Sequence, residues 1–366
     1  MKNTMKIIVA LFTSISLISS VNAGELTVTG TAKATYNILK GGTLGASAAK
    51  GIGVANEIDF GASGELDNGW SWNYQVQFDP GNDAASTGGS NGQIDDSQLT
   101  LTTNLGTFGV FVSEGGLDVD NAASQSVYGR PSDIGLATGM SDGPGIDSYN
   151  NLQYHLPAGL LPFGTTFKAA YATGSQSTMN SANATATSQS DGFGQNAEQY
   201  QITTSPIEGL KVSADYYRES GAASYVVQEF EAGSIAATYA MGPAKFGISR
   251  TLRAPLIKAA SATTTAINNN TSAGGNADSV RLYTSNKYSV AFNVNESLSV
   301  SYEMEKSNRE KIANETTESD IEASAIQAAY TMGGMTLAVS HGKTDNVNYT
   351  ANNDAEQTLF AVTMAF

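Results

Sequence analysis

The chain contains no cysteine and only two histidines, His155 and His341. Without cysteine it cannot form disulfides, hold a metal through thiolates or use a cysteine nucleophile. A histidine-based metal site or a Ser-His triad would have to use one of the two histidines, and neither lies in a recognisable motif. We therefore expect a protein that is not an enzyme and that has no resident cofactor.

Basic residues and long apolar runs are also scarce. Lysine and arginine number 19 against 34 aspartates and glutamates, which gives a net charge of −15. Such an acidic chain repels nucleic acid, which we exclude as a partner. No apolar run is long enough to predict a transmembrane helix. The 38 glycines and eight prolines indicate a sheet protein with many tight turns.

The first residues have the features of an export signal. Two lysines precede an apolar stretch over residues 7–18, and a small-residue cleavage site ends at Ala23. An N-terminal anchor is the alternative, but the stretch is shorter than the ~20 residues that a spanning helix needs. We predict a signal peptide over residues 1–23 and one domain over residues 24–366.

The rest of the chain alternates apolar and polar residues with the period of a β-strand. The clearest apolar face, in residues 70–79, consists of Trp70, Trp72, Tyr74, Val76 and Phe78. The last eleven residues follow the same pattern and end on Phe366. A soluble domain rarely ends on an ordered apolar strand. A closed membrane barrel does, because its last strand pairs with its first.

Short turns and long loops alternate along the chain, and together they separate about sixteen predicted strands. This asymmetry is typical of a barrel whose strand ends face two compartments, and a soluble sandwich has no reason for it. We expect the long loops at residues 39–53, 81–92, 114–146, 175–195, 219–224, 254–277, 308–317 and 345–355.

The polar face carries many charges, and about sixteen strands enclose a space too wide for side chains to fill. The consistent arrangement places the polar face inside, around water, and the apolar face against lipid. Aromatic residues near segment ends fit interface girdles, although aromatics favour strands in any case. A soluble all-β fold remains the alternative. The predicted pore-wall residues are Lys33, Glu57, Asp59, Lys168, Lys211, Lys245, Arg281 and Lys287.

With these features the chain resembles the general porins of Gram-negative outer membranes, most nearly the alphaproteobacterial branch. The resemblance rests on the signal ending at Ala23, the opening strand from Leu26, the sixteen-segment layout and the terminal Phe366. It implies an all-β transmembrane antiparallel barrel in the bacterial outer membrane. It also implies a homotrimer in contact with membrane lipid and lipopolysaccharide, and a third external loop that folds into the lumen and narrows it.

The third long loop, residues 114–146, fits that role because it is the longest. The predicted constriction consists of Glu114, Asp118, Asp120, Arg130, Asp133 and Asp142. A narrow passage of low dielectric focuses the field of such a cluster. The family usually sets basic residues on the facing wall, but here Lys33 is the one inward base expected from the first five strands. A solvated loop that points outward is the alternative.

We therefore predict a water-filled channel for passive diffusion of small hydrophilic solutes and ions, with a mild preference for cations. A substrate-selective nutrient channel, a barrel enzyme and a secreted adhesin are the alternatives. Calcium could bind acidic pairs, although the lack of a twelve-residue calcium loop favours solvated carboxylates; the pairs are Asp95/Asp96, Asp118/Asp120 and Glu303/Glu305. Small outward residues suit a trimer contact, and these are Gly30, Ala32, Ala34, Ala62 and Gly64.

Overall fold

The computed structural model describes residues 25–42, 48–79, 93–134, 139–140, 143–173, 196–220, 226–258, 280–311 and 319–366. The predicted signal peptide and Asp142 lie outside these residues. The described strands are β1 (Leu26–Gly41), β2 (Ala48–Glu65), β3 (Ser71–Asp79), β4 (Gln93–Thr103), β5 (Gly106–Val112), β6 (Asn151–His155), β7 (Thr166–Thr173), β8 (Asn196–Ile207), β9 (Leu210–Ser220), β10 (Val226–Gln228), β11 (Glu231–Met241), β12 (Ala244–Ala254), β13 (Ile257–Lys258), β14 (Val280–Asn293), β15 (Leu298–Lys311), β16 (Ile321–Met332), β17 (Met335–Asp345) and β18 (Ala355–Ala365).

Sixteen of these strands form one closed antiparallel barrel, and β10 and β13 pair with each other outside it. Each barrel strand pairs with the next one along the chain, and β18 returns to pair with β1. The predicted fold class is therefore confirmed. No helical segment among the described residues has the length and apolarity that a membrane crossing requires.

The connections alternate between short and long, as expected, but two loops are shorter than predicted. Strands β1 and β2 run through most of the expected loop at 39–53, which leaves only residues 42–47 between them. Strand β15 continues to Lys311, so the expected loop at 308–317 begins later. In both cases, pairing with the neighbouring strand extends the ladder past the point where the alternation weakens. The connection between β5 and β6, residues 113–150, is named L3 here.

Burial follows the reverse of the pattern in a soluble protein. On β14 and β15, Lys287 lies opposite Glu305, and Tyr288 lies opposite Met304. Residues opposite one another in an antiparallel pair share a face. Lys287 and Glu305 are 3% and 0% exposed, whereas Tyr288 is 45% exposed and Ile326 on β16 is 62% exposed. The enclosed face of the barrel is therefore polar, and its outer face is apolar, as contact with lipid requires.

The barrel closes where the chain ends. The Phe366 N–H donates to the Gly30 carbonyl at 3.0 Å, and the Gly30 N–H donates to the Phe366 carbonyl at 2.9 Å. A Cβ atom at Gly30 would lie 2.5 Å from the Glu57 carbonyl oxygen and 2.8 Å from the Phe366 ring. The glycine thus lets the terminal ring cover the backbone of β1 and complete the seam.

The same device occurs at Gly64, where a Cβ atom would lie 2.7 Å from the Trp72 indole nitrogen. An aromatic ring laid over a strand glycine is a known way to protect exposed backbone in sheets. Gly30 and Gly64 are therefore covered by rings of their own chain. These two glycines do not provide the open, small surface that the sequence suggested for a trimer contact.

Replacing Gly30 with alanine tests the seam. We expect Gly30→Ala to destabilise the barrel by about 1–3 kcal/mol, because the added methyl overlaps backbone and ring. Unfolding by guanidinium in detergent micelles, followed by intrinsic fluorescence, measures the change. Gly51→Ala on β2 is the control, because its Cβ atom meets nothing within 4 Å. Equal midpoints for the two variants would contradict this account of closure.

Candidate functional site

L3 lies against the inner face of the barrel and is anchored to one strand after another. The anchoring hydrogen bonds join a wall side chain to L3 backbone. They include Asn151 and Gln153 on β6 to Glu114 and Gly115, Gln201 on β8 to Leu117, Asp215 on β9 to Val119, Ser249 on β12 to Asp120, Ser289 on β14 to Ala123, Ser301 on β15 to Val127, Gln327 on β16 to Tyr128 and Gln357 on β18 to Ile134. Loop backbone enclosed in this way needs such partners, because an unpaired buried amide or carbonyl is costly.

Close approach of L3 to the wall requires small wall residues. A Cβ atom at Gly247 on β12 would lie 1.7 Å from the carbonyl oxygen of Ala123, so only glycine fits there. The short hydroxyl of Ser289 donates to that same carbonyl at 2.9 Å, and it accepts from the Gln125 N–H at 3.1 Å. Serine and glycine at these inner positions therefore allow the backbone of L3 to seat directly on the sheet.

A buried ionic network, named the L3 latch here, holds the middle of the loop. It consists of Asp120 and Arg130 from L3 and Lys287 and Glu305 from the wall. The Lys287 Nζ atom lies 3.3 Å from Asp120 and 3.7 Å from Glu305, and all three side chains are at most 4% exposed. Arg130 lies 3.6 Å from the same Glu305 oxygen, Oε1, that faces Lys287. Each buried charge thus has an opposite charge as a neighbour, which such burial requires.

Further contacts surround the latch. Arg130 forms a bidentate pair with Asp133 at 2.6 and 2.7 Å. The Ser132 N–H donates to Glu305 at 2.8 Å, and the Ser126 hydroxyl donates to Glu303 at 2.7 Å. Bidentate guanidinium and carboxylate pairs are directional as well as strong. Of the two predicted residues, Arg130 is therefore engaged both with Asp133 and with the wall.

Two predicted site residues are placed differently from the sequence expectation. Lys287 was expected on the water-facing pore wall and Asp120 at the constriction. Both are buried where L3 meets the wall, with Lys287 3% and Asp120 1% exposed, because each neutralises the other. As buried partners they cannot act as side chains exposed to a water passage, and both predictions are corrected.

Arg281 is a third correction. It lies at a register shift between Val280 and Leu282, and its guanidinium pairs with Glu310 at 2.9 Å. Glu310 stands opposite Leu282. Leu282 directly precedes Tyr283, which faces inward, so Leu282 and its partner Glu310 face outward. The bulge therefore removes Arg281 from the inner wall on which strict alternation placed it.

The remaining wall lysines lie apart from the latch. Lys211 and Lys245 are the second residues of β9 and β12, and Lys168 is the third residue of β7, so all three lie near the short-turn ends. Their partners across the ladder, such as Gln201 opposite Lys168 and Ala291 opposite Lys245, share the inner-face register. Lys168 also lies close to the start of L3, because its partner Gln201 donates to the Leu117 carbonyl.

The start and end of L3 bring carboxylates close together. A Cβ atom built at Gly145 would lie 2.0 Å from Asp147 and 3.1 Å from Asp118, so the two carboxylates flank this glycine. Burial, a hydrogen bond with Asp120 and the charges of Asp120 and Asp147 raise the pKa of the Asp118 carboxyl to about 7. Burial also raises the pKa of Asp147. Within the described residues, no three His, Cys, Asp or Glu side chains are grouped to hold a metal ion.

Opposite the anchored loop lies the inner face of β1 to β4, with Lys33, Glu57 and Asp59 in its register. Three glutamines form a hydrogen-bonded row there: Gln98 donates to Gln75 at 2.9 Å, and Gln75 and Gln77 donate to Asp59 at 3.3 and 3.1 Å. A cavity of about 140 Å³ adjoins the row and is lined by Gln75, Gln77, Asp96, Ser97, Gln98 and Glu114.

The sequence interpretation missed these glutamines and the serine anchors. Their signal was present, because Gln75 and Gln77 alternate on one face of β3, and Ser285 and Ser289 share one face of β14. Alternating uncharged polar residues predict only that their side chains point into the barrel. Their partners come from strands and loops distant in sequence, so the network itself could not be read from spacing.

A family model described as Gram-negative porin matches residues 8–366 of the chain. The chain belongs to the Gram-negative porin family. It is therefore a channel protein of the bacterial outer membrane. No curated protein matches its sequence.

Solved structures share the fold of this porin at low sequence identity. The Salmonella typhi OmpF complex with daunomycin has a TM-score of 0.65 at 12% identity, with 94% of this chain and 98% of that chain covered. The anion-selective porin from Comamonas acidovorans has a TM-score of 0.67 at 11% identity, with 94% and 100% covered. The trimer form of Vibrio cholerae OmpT has a TM-score of 0.59 at 11% identity, also with 94% and 100% covered.

The latch can be tested with Lys287→Met. Because Asp120 and Glu305 would keep buried charges without Lys287, we expect L3 docking to weaken by about 3–5 kcal/mol. Chymotryptic cleavage after Tyr128 in folded porin, located by mass spectrometry, should then become faster.

Lys306→Met is the matched control for this experiment. Lys306 pairs with Asp320 and Glu322 at an exposed position, and such pairs contribute only about 0–1 kcal/mol. Cleavage of Lys287→Met at the control rate would show that the latch does not hold L3.

Proposed function

We propose that this porin is a passive diffusion channel for small hydrophilic solutes and ions, that it mildly prefers cations, and that L3 narrows its water passage toward β1 to β5. The supporting observation is the position of L3, which is anchored along the wall from β6 to β18. The loop therefore occupies that side of the lumen, and the space left for water adjoins the inner face of the first strands.

The distribution of charge supports the preference for cations. Lys287 and Arg130, which would otherwise oppose cations at the level of L3, are held in the latch. The facing wall contributes Glu57 and Asp59, and the cavity beside it contributes two more carboxylates. No lysine or arginine occurs between Lys50 and Arg130 in the sequence. A passage between low-dielectric walls focuses this negative field and favours cations.

The glutamine row supports broad passage of polar solutes. The amide donors of Gln75 and Gln77 point to Asp59, so much of the acceptor capacity of the row is left for solutes that donate hydrogen bonds. The polar cavity beside Glu114 also favours the alternative, a substrate-selective nutrient channel. Saturable block of conductance by a single solute would support that alternative.

We further propose a homotrimer in contact with lipid and lipopolysaccharide. The support is the apolar outer face of the barrel and the trimer form of the Vibrio cholerae OmpT structure, whose fold this chain shares. With Gly30 and Gly64 covered by aromatic rings, the small outer residues left for close approach are Ala32, Ala34 and Ala62. Calcium at acidic loop positions also remains a proposal.

Reversal potential in a salt gradient across a planar bilayer tests the selectivity. We expect a cation preference that decreases in the double variant Asp96→Asn with Glu114→Gln, because both carboxylates line the cavity. Glu356→Gln is the control, since its exposed side chain lies on the outer-face register and should leave the potential unchanged. Anion preference in the unaltered porin would reject the proposal.

Selectivity should also depend on pH through Asp118. Its pKa of about 7 exceeds the ordinary aspartate value of about 3.9, so folding favours the protonated form. The free energy of unfolding should therefore fall as pH rises from about 4 to about 7. Above about pH 7 the ionised carboxylate should strengthen cation preference.

Reversal potentials at pH 5.5 and 8.5 would measure this shift. Asp118→Asn should lose most of it, because the amide does not titrate. A variant that retains the full pH shift would assign the effect to another group.

A further inference from the structure

L3 also contacts the first strand of the barrel wall. The Lys33 ammonium, on the inner face of β1, lies 5.7 Å from the centre of the Tyr128 ring. A lysine within about 6 Å of an aromatic ring face is attracted to it electrostatically. Both side chains are half-buried. The contact therefore joins the far side of L3 to the first strand, across the seam from β18.

Tyr128 is held firmly enough to act as a platform. Its N–H donates to Gln327 on β16 at 3.0 Å, and the Gln327 amide donates to the carbonyl of Gly129. This pair of bonds holds the L3 backbone on both sides of the Tyr128 Cα atom. The ring consequently extends from a fixed point on β16 toward β1, rather than from a free loop.

Lys33 is the long side chain at this position of the wall. Its ladder partners are Ala55 on β2 and Thr363 on β18. The next inward residue of β1, Thr35, has Gly53 and Ala361 as partners. Thr35 and these ladder partners have side chains of at most three heavy atoms. The four-carbon stem of Lys33 is therefore what reaches the Tyr128 ring.

We propose that Lys33 and Tyr128 close the lumen between L3 and β1, and that this seal makes the two residues determinants of the pore's size limit. The inference rests on the proposed function, in which L3 bounds the water passage. With the seal in place, solutes pass only beside β2 to β5, along the glutamine row. The seal also holds the Lys33 charge against a ring, which keeps this base out of the acidic passage.

Single-channel conductance and swelling of liposomes in a series from monosaccharides to trisaccharides test the seal. Lys33→Ala and Tyr128→Ala should each raise conductance about 1.5- to 2-fold by widening the passage, and each should admit larger sugars. The double variant should match the single ones, because either change alone opens the same gap. Lys33→Met keeps the aliphatic stem but removes the charge. The ratio of the sealed state, in which this side chain contacts the Tyr128 ring, to the open state, in which it does not, should then fall about two- to fivefold.

Lys306→Ala is the matched control, since it removes the same charge from an exposed position on the outer-face register of β15. It should leave the sugar limit unchanged. The proposal is overturned if Lys33→Ala and Tyr128→Ala leave conductance and sugar limit unaltered, or if their effects multiply in the double variant. It is also overturned if Lys33→Met has the same sealed fraction as the unaltered porin. Lys33→Met keeps this test available if the alanine variants do not fold. An unaltered porin that excludes all sugars or prefers anions would instead refute the proposed function.

Discussion

Backbone amide and carbonyl groups of a sheet in hydrocarbon have no partner except another strand. In this porin that constraint is met by closure, and the last open pair is formed between Phe366 and Gly30. Closure separates two faces that then meet different solvents. The apolar outer face and the polar, largely buried inner face both follow from this separation, because each face must match its own surroundings.

The polar lumen in turn makes it possible to place a loop inside it. L3 finds hydroxyl and amide partners on strands all along one wall, and Gly247 allows its backbone to approach. The latch compensates the charges that the loop buries. The inner surface exposed to water is therefore less positive than the number of basic residues on the inner face suggests, since Lys287 and Arg130 are already paired with carboxylates.

The fold was predictable because its signals are local. Period-two alternation and the order of short and long connections each depend on neighbouring residues, and they were sufficient for about sixteen strands and a closed seam. The site was predictable only in part. Direction toward the lumen could be read for Lys33 and Asp59, whereas Arg281 departs from alternation because a bulge intervenes. A bulge depends on the partner strand, which the alternation of one strand does not show.

The sequence by itself determined which face of each strand is polar, and hence that the wet side of the sheet is the enclosed one. It also determined that the first strands supply acids and amides but almost no base. The tertiary structure decided which charges remain available to the passage. Asp120 and Lys287 are 167 residues apart, and only barrel closure and the seating of L3 bring them within 3.3 Å. Pairing over that separation depends on the register of many strands, which no local pattern encodes.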